Sequence, residues 1–165
     1  MKSIVFLFAA VLGLSVPATV SAKEVMKQSV PATVLKVVDG DTIKVSARVW
    51  LGVNVETMVR INGIDTPEIR GKCPMEKELA RKAKDFVKEK LPVGSLVYLS
   101  SVQSDKYGGR VVAKVADENK KDIGKQLIQN GLARPYSGKI AKSNWCIIVQ
   151  PKPRNEEIIS VHKGV

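Results

Sequence analysis

Three β-branched runs, Ala32 to Val38, Thr42 to Trp50 and Val55 to Ile61, follow one another with only Asp39-Gly40 and a turn around Gly52 as punctuation. Connections this short join antiparallel neighbours, so the front of the chain is committed to a three-stranded sheet. From Met75 the period changes. Met75, Leu79, Ala83, Phe86 and Val87 recur at spacings of three and four, which predicts an amphipathic helix that stops before Pro92-Val93-Gly94. Ser95 to Val102 and Val111 to Val115 alternate again as strands, and Asp122 caps a short helix through Ile123, Leu127 and Ile128 to Gly131.

The order is therefore βββαββα. It is compatible with a mainly β fold with flanking α-helices, a five-stranded Greek-key barrel of the oligonucleotide-binding architecture. Residues 1–22 stand apart from it. Lys2 is a positive start, Ile4 to Leu14 is an apolar run of 11, and Val20-Ser21-Ala22 is a small-residue cleavage site, together a signal peptide. The run is too short to cross a bilayer, and the mature chain is expected to have no membrane span. The expected organisation is a leader at 1–22, a barrel domain at 23–146 and a tail at 147–165, where Pro151, Pro153 and Glu156-Glu157 break any period. A chain of about 150 residues buries roughly 68 to 70 % of its unfolded surface, enough for one core.

The expected location is secreted or periplasmic, with cleavage after Ala22. Cys73 and Cys146 would then meet an oxidising compartment and close as a disulfide, worth roughly 4 kcal/mol on the entropic account. The 27 Lys and Arg against 16 Asp and Glu give a formal charge of +11, or +10 once Lys2 leaves with the leader. That charge favours polyanions: nucleic acid, anionic lipid or cell-wall polymer. The single histidine, His162, lies three residues from the C-terminus. Ser-His and Cys-His triads and His-ligated zinc thus have no imidazole pair to use, and a general base must be a carboxylate or a lysine.

The chemistry gathers in three connections. Val38-Asp39-Gly40-Asp41-Thr42 sets two carboxylates around a glycine; an ordinary Asp-Gly hairpin explains it equally well, while an EF-hand loop fails for want of a glycine at Lys44 and a glutamate at Trp50. Arg60-Ile61-Asn62-Gly63-Ile64-Asp65-Thr66-Pro67-Glu68 displays an arginine and two carboxylates on one rim. A helix-capping role would explain either acid but not the arginine. Asp105-Lys106-Tyr107-Gly108-Gly109-Arg110 adds a second arginine to a turn between strands.

In residue type, order and spacing these clusters, with Gly131-Leu132-Ala133 after them, resemble the thermonuclease family, the staphylococcal-nuclease-like enzymes, of which micrococcal nuclease homologues are members. The resemblance implies a monomeric, Ca²⁺-dependent nuclease. It would cut DNA and RNA, preferring single strands, with little sequence preference, and leave 3′-phosphate and 5′-hydroxyl ends. Asp41 and Asp65 would bind the metal through their carboxylates and Thr66 through its backbone carbonyl. Asp39 matches a family acid that is not a direct ligand. Glu68 would accept a proton from, or orient, the attacking water; Arg60 and Arg110 would hold the phosphate; Lys106 and Tyr107 would contact a neighbouring one. The chain departs from the family in three places: Arg110 follows two glycines, Tyr136 is displaced by one position from a substrate-facing tyrosine, and Trp145-Cys146 with the tail stands where a closing helix is expected.

The residue types have a physical logic of their own. A phosphodiester is an anion that repels nucleophiles, so cations must neutralise it, and arginine presents planar donor forks matched to its oxygens. Two other readings compete. A barrel that binds single strands without cutting them needs aromatic stacking platforms, yet Phe, Trp and Tyr make up only 5 % of the chain. A basic protein docking on anionic envelope polymer would not need Arg60, Glu68 and Arg110 together, and runs such as Arg81-Lys82 and Lys120-Lys121 read as solvated faces.

Overall fold

Burial alternates along the first long strand because side chains a period of two apart share one face. In the computed structural model, which describes residues 24–106, 108–138 and 144–146, this strand is β2 (Val30–Asp39), counted after a two-residue β1 (Val25–Met26). Ala32 and Val34 point into the core, and a bulge between Val34 and Lys36 shifts the phase so that Val37 is the next to do so. β3 (Thr42–Trp50) buries Ile43, Val45 and Ala47, and β4 (Val53–Ile61) buries Val59 and Ile61.

After β5 (Ile64–Asp65) comes α1 (Pro74–Lys90), which starts on a proline at its first position, where no N–H is needed. Its Ala83 and Val87, with Leu91 just beyond, are fully buried against the sheet. β6 (Leu96–Ser104) and β7 (Arg110–Ala116) follow, then α2 (Ile123–Gln129) and β8 (Arg134–Pro135). The Asp122 side chain accepts from the Lys125 N–H at 2.9 Å, the expected N-cap.

The long strands run β6-β2-β3-β4-β7 and β7 pairs back onto β6, so the five close into a barrel without open edges. All neighbours are antiparallel except β4 and β7, which pair in parallel from Met58 with Arg110 to Ile61 with Ala113. The mainly β, five-stranded oligonucleotide-binding barrel with two helices is thus the fold expected from the element order and the family resemblance. β1, β5 and β8 escape the sequence reading because two residues have no period; each forms only where a distant segment supplies a partner, β1 on β6 and β5 on β8. The leader at 1–22 and the tail at 147–165 lie outside the described residues. Among the described residues no helix is long and apolar enough to cross a membrane.

Candidate active site

The β2–β3 turn is built around Gly40. A Cβ there would lie 2.8 Å from the Ala83 Cβ of α1 and 3.4 Å from the Thr66 Cβ, so a residue without a side chain lets the turn touch both the helix and the loop after β5. That contact buries Asp41 to 5 % exposure. Asp41 Oδ1 accepts from the Thr42 hydroxyl at 2.8 Å, and Oδ2 pairs with an Arg60 terminal nitrogen at 2.6 Å. The pairing follows from register: Thr42 faces Arg60 across β3 and β4, and the Ile61 N–H donates to the Asp41 carbonyl at 2.8 Å.

Beyond β4, Gly63 takes a φ of +84°, which glycine adopts without strain, and turns the chain into β5. β8 pairs with β5 here, and the Tyr136 N–H donates to the Gly63 carbonyl at 2.9 Å. Asp65 is 1 % exposed, and its Oδ2 accepts from the Trp145 indole N–H at 3.2 Å; the Arg134 guanidinium stacks 4.3 Å over the same ring. Thr66 and Pro67 are buried and Glu68 is half-buried. Cys73 and Cys146 form the expected disulfide, with Cα atoms 5.9 Å apart, and so bring Trp145 to this loop.

Arg110 opens β7, and its Nε donates to Asp105 Oδ2, which anchors the guanidinium to the other end of its own turn. Gly108 and Gly109 both have positive φ, so the second glycine is absorbed in the turn. Arg60, Lys106 and Arg110 line one cavity of about 490 Å³, together with Tyr136. Asp65, Thr66 and Glu68 line another of about 400 Å³, with Glu76 and Trp145 on its wall. Ile64 borders the first and Asp65 the second, so consecutive residues of β5 separate them. Tyr107 lies outside the described residues.

Burial pushes the Asp39 carboxyl above the ordinary carboxylate range; Asp41 and Glu68 add repulsion, while the Gly40 N–H and Lys84 oppose the rise. Asp39 therefore feels the charge of both Asp41 and Glu68. Cys73, Glu76 and Cys146 also bring their donor atoms within 4.8 Å, but both sulfurs are spent in the disulfide and offer no thiolate to a metal.

Three residues at the site carried no role from sequence: Asp105, Glu76 and Trp145. Asp105 stood in the third cluster unassigned. Trp145 had one signal, its place next to a cysteine whose bridge had to end near the second cluster. Glu76 lies among the charged residues between the apolar positions of α1, and nothing in the sequence sets it apart from them.

A family model described as staphylococcal nuclease homologue matches residues 58–145, from within β4 to Trp145. The chain is also similar to an uncharacterized lipoprotein, MG186, of Mycoplasma genitalium, at 33 % identity over 110 residues, 61 % of this chain. It spans 42 % of that relative's length. The match covers more than half of the chain, including Arg60, Asp65, Glu68 and Arg110, while Asp41 joins them through the β3–β4 ladder. The chain belongs to the staphylococcal nuclease homologue family.

Proposed function

We propose that this protein is an exported, Ca²⁺-dependent nuclease that hydrolyses phosphodiester bonds of DNA and RNA, preferring single strands, and leaves 3′-phosphate and 5′-hydroxyl ends. It acts as a monomer. The observation that carries this reading is the arrangement around Asp41. Its carboxylate is tied to Arg60, on the wall of a cationic cavity with Lys106 and Arg110, while the adjacent Gly40 packs on Thr66, on the wall of a second one that Asp65 and Glu68 share with Glu76, Arg70 and Lys72.

The donor set fits calcium. Asp41, Asp65 and the Thr66 carbonyl would hold the ion with oxygen alone, and an all-oxygen set with two buried carboxylates favours a hard divalent cation over any nitrogen- or sulfur-seeking metal. Each Asp41 oxygen takes one protein donor, which leaves lone pairs on both. A bound Ca²⁺ would supply positive charge that neutralises and polarises the phosphate. The rest belongs to the chain. Arg60 and Arg110, each fixed by an aspartate, present further guanidinium donors to the phosphate oxygens as negative charge grows in the transition state. Glu68 orients the attacking water and takes its proton. Lys106 and Tyr107 hold a neighbouring phosphate, and the +10 charge left once Lys2 goes with the leader draws the polyanion in.

A non-cutting barrel is the weaker reading. Among the described aromatic residues only Trp50 is exposed, at the far end of the β3–β4 ladder from Thr42 and Arg60. Digestion of single-stranded DNA with Ca²⁺ and with a chelator decides. Cleavage in Ca²⁺ that chelation abolishes is expected, with Mg²⁺ much weaker because its smaller shell demands stricter geometry. Full activity in excess chelator overturns the metal assignment, and tight binding in Ca²⁺ without cleavage makes the barrel a binding module.

A further inference from the structure

Glu76 occupies the third position of α1, where a glutamate commonly reaches back to the N–H of the capping residue. Here it reaches further. Its Oε2 accepts from the Lys72 N–H at 2.9 Å and its Oε1 from the Glu68 N–H at 3.4 Å, while Cys73, the capping residue itself, makes no side-chain cap bond. The carboxylate is buried to 9 % exposure, and Oε2 lies 3.8 Å from Cys146 Sγ.

The loop is shaped to this carboxylate. A Cβ on Gly71 would sit 2.3 to 2.5 Å from Glu76 Cδ, Cγ and Oε2, so the backbone of residue 71 lies directly on it. The Gly71 N–H also donates to the Glu68 carbonyl at 2.8 Å. Residues 68 to 72 thus wrap an internal anion by their backbone, as a turn wraps a bound phosphate.

We propose that Glu76 is a positioning residue for hydrolysis: its buried carboxylate gathers the Glu68 and Lys72 N–H groups and holds the Glu68 side chain at the edge of the cavity it shares with Asp65 and Thr66. This rests on the reading of Glu68 as the group that handles the attacking water. A carboxylate serves because it has two acceptor oxygens and no donor. A glutamine in its place would keep one acceptor and turn an NH₂ toward a backbone N–H. The loop would then lose one of its two anchors.

The test is a double-mutant cycle on the full chain, with single-turnover cleavage as readout, joined to amide hydrogen exchange on protein in chelator. Glu76→Gln is expected to slow cleavage roughly 10- to 10²-fold, the scale for a catalytic group displaced by about 1 Å. In a Glu68→Gln background the same change should cost less than about twofold, because both act through one group. Exchange at residues 68 to 72 should speed up at least tenfold, with β2, β3 and β4 unchanged. Gly71→Ala, which keeps every charge and presses on the carboxylate, should show the same non-additivity, and it stands in if Glu76→Gln does not fold.

Additive losses overturn the proposal and leave Glu76 a purely structural residue; unchanged exchange at 68 to 72 does so as well. If Glu68→Gln cleaves like wild type, the reading of Glu68 has failed and the proposal falls with it. That case is told apart by the single variant alone.

Discussion

Arg60 holds a buried carboxylate and faces a cavity at once, so its removal has two consequences that can be separated. Arg60→Ala strands Asp41 without its cation and should cost about 3 kcal/mol of stability in chelator, read from denaturant midpoints, in addition to a rate loss of roughly 10² to 10³. Arg110→Ala should lose rate on the same scale and lower stability as well, since it leaves the buried Asp105 carboxylate without this cation. Glu68→Gln should cost roughly 10² to 10⁴ in rate while strand binding survives. If all three variants cleave like wild type, the site is wrong.

Asp39 gives a pH signature. Burial first, then Asp41 and Glu68, raise its folded pKa, so the folded state holds the proton more tightly than the unfolded one. Ionised Asp39 therefore costs stability above its folded pKa, and the cost fades as pH falls through that value toward the ordinary carboxylate range. Asp39→Asn should raise the melting temperature in chelator at neutral pH and make no difference in acid. A variant less stable at neutral pH would contradict this.

At the scale of elements, the β2–β3 hairpin matters more than its sequence suggests. Asp39-Gly40 reads as a turn, and a turn it is, with Asp39 facing Thr42 across it. Its glycine, however, serves a close approach to α1 rather than an unusual φ. Gly40→Ala places a methyl 2.8 Å from the Ala83 Cβ, a contact that needs the turn or the helix to move. About 1 to 3 kcal/mol of stability should be lost, the usual cost of overpacking, together with a higher Ca²⁺ requirement because Asp41 moves with the turn. The paired variant Ala83→Gly should restore part of both. An unchanged denaturation midpoint in Gly40→Ala would show that the turn has room to spare.

For the whole molecule, the Cys73–Cys146 bridge closes a sequence separation of 73 and ties the last described segment to the loop bearing the acids. Exported protein should begin at Lys23 and contain no alkylatable cysteine under denaturing, non-reducing conditions, both read by mass spectrometry. Reduction should lower stability by roughly 4 kcal/mol on the entropic account and shift Trp145 emission to the red as the ring leaves its buried contact with Asp65. Two alkylated cysteines in exported material would remove the bridge from the native protein.

The sequence by itself determined the elements and the chemistry on offer. Period two and period 3.6 mark the five long strands and both helices, Asp122 announces its cap, the lone histidine leaves carboxylates or lysines to act as bases, and two cysteines have only each other. These are legible because propensity, amphipathicity and capping act between residues near in the chain. Tertiary structure alone decided the parallel β4–β7 closure, the Asp41–Arg60 pair, the Asp105 anchor on Arg110, and the seating of Glu76 and Trp145 beside the acids. The first two depend on how a closed barrel sets its register; the others depend on how the β6–β7 turn, the loop before α1 and the Cys73–Cys146 bridge fold. A surface glutamate and a buried hub have the same letter in the chain, and only the backbone N–H groups that fold onto Glu76 make it the second.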